Sequence, residues 1–173
     1  MEPSELTEVS EKAHGRGERT IGLTMAIIAA ILATVTLMGH RLHTEETVQQ
    51  TKAADGWAFY QAKNGRYHMY AADAKLAELV GPQGASIAKE WRRKAEEEKA
   101  DAEMIRHDNE KLDEETHAIA RRATYFDASE ICLEVAIVLC SVALLTGTAL
   151  FWRISFVGTA IGLIVAAMGF LKG

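Results

Sequence analysis

Glu134 is the only charge in an otherwise apolar run, Ile131–Leu150. A carboxylate inside a membrane-length run is a candidate proton or ion site, because hydrocarbon solvates charge poorly. Asp127 and Glu130 lead into it as an acidic stripe, and the helix pairing derived below places His40, Arg41 and His43 within a turn or two of that stripe. Glu134, Glu130 and His40 are therefore the candidate ion or proton site. The competing expectation is ordinary ion pairing at the membrane boundary. Glu134 stands about one turn inside its run, where it could snorkel or reach Arg41. His40, His43 and Glu46 recur every three residues, a spacing that can align ligands along one helical face. They form a weak metal candidate. No His-Glu-x-x-His motif is present, and the other histidines (His14, His68, His107, His117) are scattered. Interfacial polar residues are the expected reading, with no metal and no cofactor.

Asp55-Gly56-Trp57-Ala58-Phe59-Tyr60-Gln61-Ala62-Lys63 mixes aromatic and polar side chains on a helical stretch. Trp57, Tyr60, Gln61, Lys63 and Tyr67 form either a recognition surface or, more simply, the filling of a helix–helix seam. Gly158, Gly162 and Gly169 make a small-residue face that lets helix backbones approach closely, most simply onto the tethered neighbouring span. Cys132 and Cys140 lie on one helix eight residues apart, so they cannot bridge each other and read as packing residues. The mixed charges from Lys89 to Glu115 read as a solvated helix face with i,i+4 pairs. No nucleotide loop, Ser/His/Asp set or Cys/His cluster occurs, which lowers the odds of an enzyme.

The elements that must carry these residues follow from three apolar runs, Ile21–Met38, Ile131–Leu150 and Ile154–Leu171. Each approaches the ~20 residues an α-helix needs to cross a bilayer. Residues 39–130 between them carry 14 Lys/Arg and 18 Asp/Glu. That segregation implies a membrane part and a water-facing part. The expected plan is a flexible polar tail (1–19), a first span kept as a signal anchor (20–38), a water-facing helical hairpin (39–130), a second span (131–150) and a third (154–171). Phe151-Trp152-Arg153 would be the link between the last two spans. A net charge of -5 offers no electrostatic case for nucleic acid.

Within the charged middle, Val80-Gly81-Pro82-Gln83-Gly84 is the strongest turn signal, since Pro82 disfavours helix before it and glycine tolerates left-handed φ. The flanking arms are nearly equal and lack proline. Steps of four and three pick out a seam on the return arm: Trp91, Ala95, Glu98, Ala102, Ile105, Asn109, Leu112, Thr116, Ile119, Ala123 and Phe126. The same steps continue through Glu130, Leu133, Ile137 and Cys140. If the arms pair about the turn, residue i faces residue 165−i, and most of the partners so selected are small or apolar. The expected fold is thus all-α: a three-span membrane protein with a long antiparallel, coiled-coil-like helical hairpin between spans one and two. Gly56 and Gly65 interrupt the first arm and should mark a kink or a close packing contact.

The stretch Thr51-Lys52-Ala53-Ala54-Asp55-Gly56-Trp57-Ala58-Phe59-Tyr60-Gln61-Ala62-Lys63, following an apolar run and Gly39-His40-Arg41, resembles the uncharacterised bacterial membrane family known as domain of unknown function 4337. The likeness extends to the three-span plan, with Asn64-Gly65 departing from helix-friendly residues. It implies the architecture and carries no activity.

The expected function is a non-catalytic membrane scaffold or interaction protein that self-associates. Its partners would be the lipid bilayer, further copies of itself and an unidentified protein. The alternative is an oligomeric channel or transport component that uses the intramembrane carboxylate. Basic residues are nearly balanced across the membrane. The arginines flanking both ends of the hairpin tilt the reading towards a cytoplasmic hairpin in the bacterial inner membrane.

Overall fold

The computed structural model describes residues 3–171, with side chains from residue 17 onward. The expected tail at residues 1–19 falls, up to residue 16, outside the residues whose side chains are described; Gly17, Glu18 and Arg19 are helical. Among the described residues there are three long helices: α1 (Pro3–Glu78), α2 (Ala85–Thr146) and α3 (Ala149–Leu171). No strand occurs among the described residues. The chain has two prolines, Pro3 and Pro82, and each stands at the start of a helical element, where its missing N–H is harmless. Each of the three helices is long and apolar enough to cross a membrane. The protein is a three-span helical membrane protein in which α1 and α2 pack antiparallel as a hairpin.

The hairpin turns on two glycines with different reasons for being glycine. Gly81 has φ 84°, a region that side chains with a Cβ avoid. Gly84 closes the 3₁₀ turn Pro82–Gly84 by donating its N–H to the Gly81 carbonyl at 2.9 Å. A Cβ on Gly84 would fall 1.9 Å from the Ala77 carbonyl oxygen, so the returning chain passes α1 too closely for any other residue.

The link between the last two helices is Gly147-Thr148, which corrects the expectation of Phe151–Arg153. Gly147, at φ 65°, ends α2 in the left-handed conformation common after helix C-termini. Apolar residues run on through this point, so hydropathy does not mark it. Trp152 is inside α3, where its indole N–H donates to Thr24 Oγ1 at 3.3 Å and its ring meets Phe156 edge-on.

The chain divides into two compact units, Met1–Thr44 with Ile119–Gly173, and Glu45–Ala118. In the first, the core is Ile28, Val35 and Leu42 of α1, Phe126, Leu133, Ala136 and Cys140 of α2, and Ala166 of α3. Glycine carries α3 onto α2. A Cβ on Gly162 would meet Leu133 at 3.1 Å, and one on Gly169 would meet Phe126 and Tyr125 at 3.1 Å. Gly158 sits in ordinary contact with Ala136. The small-residue face therefore packs on the second span of its own chain. Ser129 donates to the Gly162 carbonyl at 2.8 Å, and Cys140 donates to Ser155 Oγ at 3.2 Å.

In the second unit, the buried residues of α2 recur every seven positions. Ala88, Ala95, Ala102, Asn109 and Thr116 are buried on α2, as are Ala53 and Ala74 on α1. Small residues at these positions let two helices approach closely along their length. The expected pairing of i with 165−i is met at Gly56, where a Cβ would fall 2.0 Å from the Asn109 side chain. Gly56 is thus a packing contact, and α1 runs through it unbroken. Gly65 has nothing within 4 Å and produces no break either.

Candidate functional site

The acidic stripe separates into three different environments. His43 Nε2 lies 3.0 Å from Asp127 Oδ1, an ion pair when the imidazole is protonated. Thr36 donates its hydroxyl to Glu130 Oε1 at 2.9 Å, in a half-buried contact between α1 and α2. Glu134 is exposed on the outer face of α2 and has neither an ion pair nor a hydrogen bond to a side chain among the described residues. His40 is also exposed. Glu130 and Glu134 are one turn apart on α2, whereas His40 stands about nine residues from the level of Glu134, roughly 13 Å along the axis, and does not join them.

Helix register sets the depth of Glu134 against the other two helices. Gly39 lies against Phe126, and Ser141 Oγ donates to Met25 Sδ at 3.5 Å, so Glu134 is level with Leu32. From α3, Gly162 packs on Leu133, the residue before it. Leu32 and Gly162 both lie well inside their apolar segments. Glu134, one turn into the apolar run of α2, is therefore level with the inner parts of the apolar segments of α1 and α3. Arg41 is about nine residues from that level, on the order of 13 Å along the helix, so the expected rescue by Arg41 fails.

Among the described residues, no group of three or more His, Cys, Asp or Glu side chains could hold a metal ion. His43 is turned to Asp127, and Glu46 accepts a hydrogen bond from Gln50 at 3.0 Å.

The aromatic stretch lies against the paired helix. Trp57 donates its indole N–H to Asp113 Oδ2 at 3.1 Å and meets Tyr60 edge-on, with ring centroids 5.7 Å apart. Tyr67 is covered by the Lys99 ammonium, 5.7 Å from its ring centroid. These three rings are half-buried, whereas Phe59 and Gln61 face outward. Lys63 is the centre of an ion cluster, with its Nζ 2.6 Å from Asp101 and 3.1 Å from Glu98. Arg66 reaches the same Glu98 oxygen at 3.1 Å. The hydrogen bonds to Asp101 and Glu98 hold the Lys63 ammonium above its ordinary pKa. Burial pushes the Glu98 carboxyl up, but the bonds from Lys63 and Arg66 together outweigh it and hold the group below its ordinary value.

The family described as Domain of unknown function (DUF4337) matches residues 17–172, which takes in all three helices and the Trp57–Lys63 stretch. The chain belongs to that family. No curated protein and no solved structure matches it. In this DUF4337 chain, His43, Trp57 and Lys63 are committed to helix pairing, whereas Glu134 and His40 are exposed.

Three structural residues escaped sequence reasoning. Ser129 and Ser155 are fully buried polar contacts of α3 on α2, and their types alone give no hint of it. Gly39 is buried against the Phe126 Cβ and the Asp127 carboxylate. Its position opposite Phe126 was available from the pairing rule, but its contact with Asp127 required the side-chain packing.

Proposed function

We propose that this protein is a non-catalytic, self-associating membrane scaffold. The observation that carries this reading is the spending of reactive side chains on helix pairing: His43 on Asp127, Trp57 on Asp113, Lys63 on Glu98 and Asp101. An active site would keep such groups convergent and accessible to a substrate. Self-association is supported by Glu134, since an outward carboxylate within the apolar run of α2 calls for a partner that lipid chains do not provide. The reading places the protein in the bacterial inner membrane, with the paired helices on the cytoplasmic side, and its partners are further copies of the chain and the bilayer. Light scattering on the detergent- or nanodisc-solubilised particle, corrected for detergent and lipid, tests it. A defined oligomer is expected, and a clean monomer would overturn it.

A second reading, a transport component, rests on the same carboxylate. Cation or proton flux into liposomes that is lost in Glu134→Gln would favour it. Flux equal to that of empty liposomes would remove it.

A further inference from the structure

We infer that the paired helices of the second unit contain a built-in point of local opening, where Gln49 and Gly56 of α1 face Thr116 and Asn109 of α2. The inference goes beyond the scaffold reading and does not depend on self-association. The buried positions of α2 in this unit are Ala88, Ala95, Ala102, Asn109 and Thr116. The first three are alanines, which bury no polar side-chain atom. The last two are polar and 6% exposed. Asn109 Nδ2 is buried and has no hydrogen-bond partner. Asn109 lies against Gly56, so seven residues further along each helix Gln49 is level with Thr116. Gln49 Oε1 is also buried without a partner. Thr116 does not supply one, because its hydroxyl donates to the Leu112 carbonyl at 2.7 Å. Two successive layers therefore each hold a polar atom that has lost water and gained no replacement.

A polar group buried without a partner costs its hydration. Parting the helices at these two layers returns both atoms to water. Parting an alanine layer only exposes methyl groups. Opening within one structure concentrates where closure gains least. On the turn side the stretch is bounded by a strong clasp: Lys63 Nζ stands 2.6 Å from Asp101 and 3.1 Å from Glu98, beside Ala102. Between the two polar layers the latch is Trp57, whose indole N–H donates to Asp113 Oδ2 at 3.1 Å in a half-buried contact. Opening the stretch breaks that bond and releases the indole, so the ring becomes available only in the parted state.

Hydrogen–deuterium exchange of the full-length protein in nanodiscs tests this. Backbone amides of residues 49–56 and 109–116 should exchange about tenfold or more faster than those of residues 63–70 and 95–102, which face each other on the turn side. Gln49→Met keeps the helix propensity and removes the unpaired oxygen, so it should slow exchange at 109–116 by about tenfold. Gly56→Ala/Asn109→Ala turns its layer into an alanine layer and should slow exchange at both segments. Gly65→Ala has the same gain in propensity away from these layers and should leave them unchanged. Trp57→Phe, which removes the latch, should speed exchange. Circular dichroism checks that each variant keeps its helical content. Equal exchange of the four wild-type segments overturns the inference. So does Gln49→Met exchanging as fast as wild type or faster, the result expected if Gln49 only fills space.

Discussion

Gly56 and Gly65 lie in the same helix in opposite surroundings. Gly65 meets nothing within 4 Å, so Gly65→Ala gains helix propensity without a clash, and the paired helices should become more stable by about 1 kcal/mol. At Gly56 the added methyl would overlap the buried Asn109 amide, so Gly56→Ala should lower stability despite the same propensity gain. Thermal unfolding in detergent of both variants separates these effects, and equal stabilisation by the two would contradict the Gly56–Asn109 contact. Phe126 is the residue-scale counterpart in the first unit. The residue is 1% exposed, with Gly169 close to its ring, Gly39 against its Cβ and Phe170 edge-on. Phe126→Ala should cost about 3 kcal/mol or more, the range for truncating a buried aromatic ring. Retention of wild-type stability would show that the cavity collapses.

At the scale of elements, pairing of α1 with α2 in the second unit should depend on pH through Lys63 and Glu98. The Glu98 carboxyl is held below its ordinary pKa, so its contribution is present above about pH 4.3 and is lost as pH falls through the lower folded value. The Lys63 ammonium is held above its ordinary pKa, so its contribution is complete below about pH 10.4 and is lost as pH rises through the higher folded value. A broad plateau between those limits is expected, and Lys63→Met should flatten the alkaline limb when melting is followed against pH. The turn is a separate element with its own sensitivity. Gly84→Ala places a methyl on the Ala77 carbonyl, whereas the exposed neighbour Gln83→Ala places nothing new there. Limited proteolysis should cut the Gly84→Ala variant at residues 79–85 faster than wild type and leave Gln83→Ala unchanged.

For the whole molecule, three spans constrain topology. The segment between spans one and two shares a side with the C-terminus, and the N-terminus lies across the membrane. An impermeant thiol reagent should therefore label Gln61→Cys and a cysteine at Gly173 from one side and Gly17→Cys from the other. Labelling of Gln61→Cys and Gly17→Cys from the same side would rule out the three-span arrangement.

Much of this architecture was legible in residue order. The apolar runs, the scarcity of proline, the Gly81–Gly84 turn and the steps of three and four set three helices and an antiparallel pairing, because each is a local or periodic property of the chain. The tertiary structure decided what periodicity does not carry. It ended α2 at Gly147 inside an apolar stretch, turned the Trp57, Tyr60 and Tyr67 rings into the helix pair, and gave Ser129 and Ser155 their buried partners. It also left Glu134 exposed on α2 while Glu130, one turn away, is half-buried against Thr36. A residue's neighbours across a helix pair depend on register and rotation between helices, and those are set by the packing of both surfaces together.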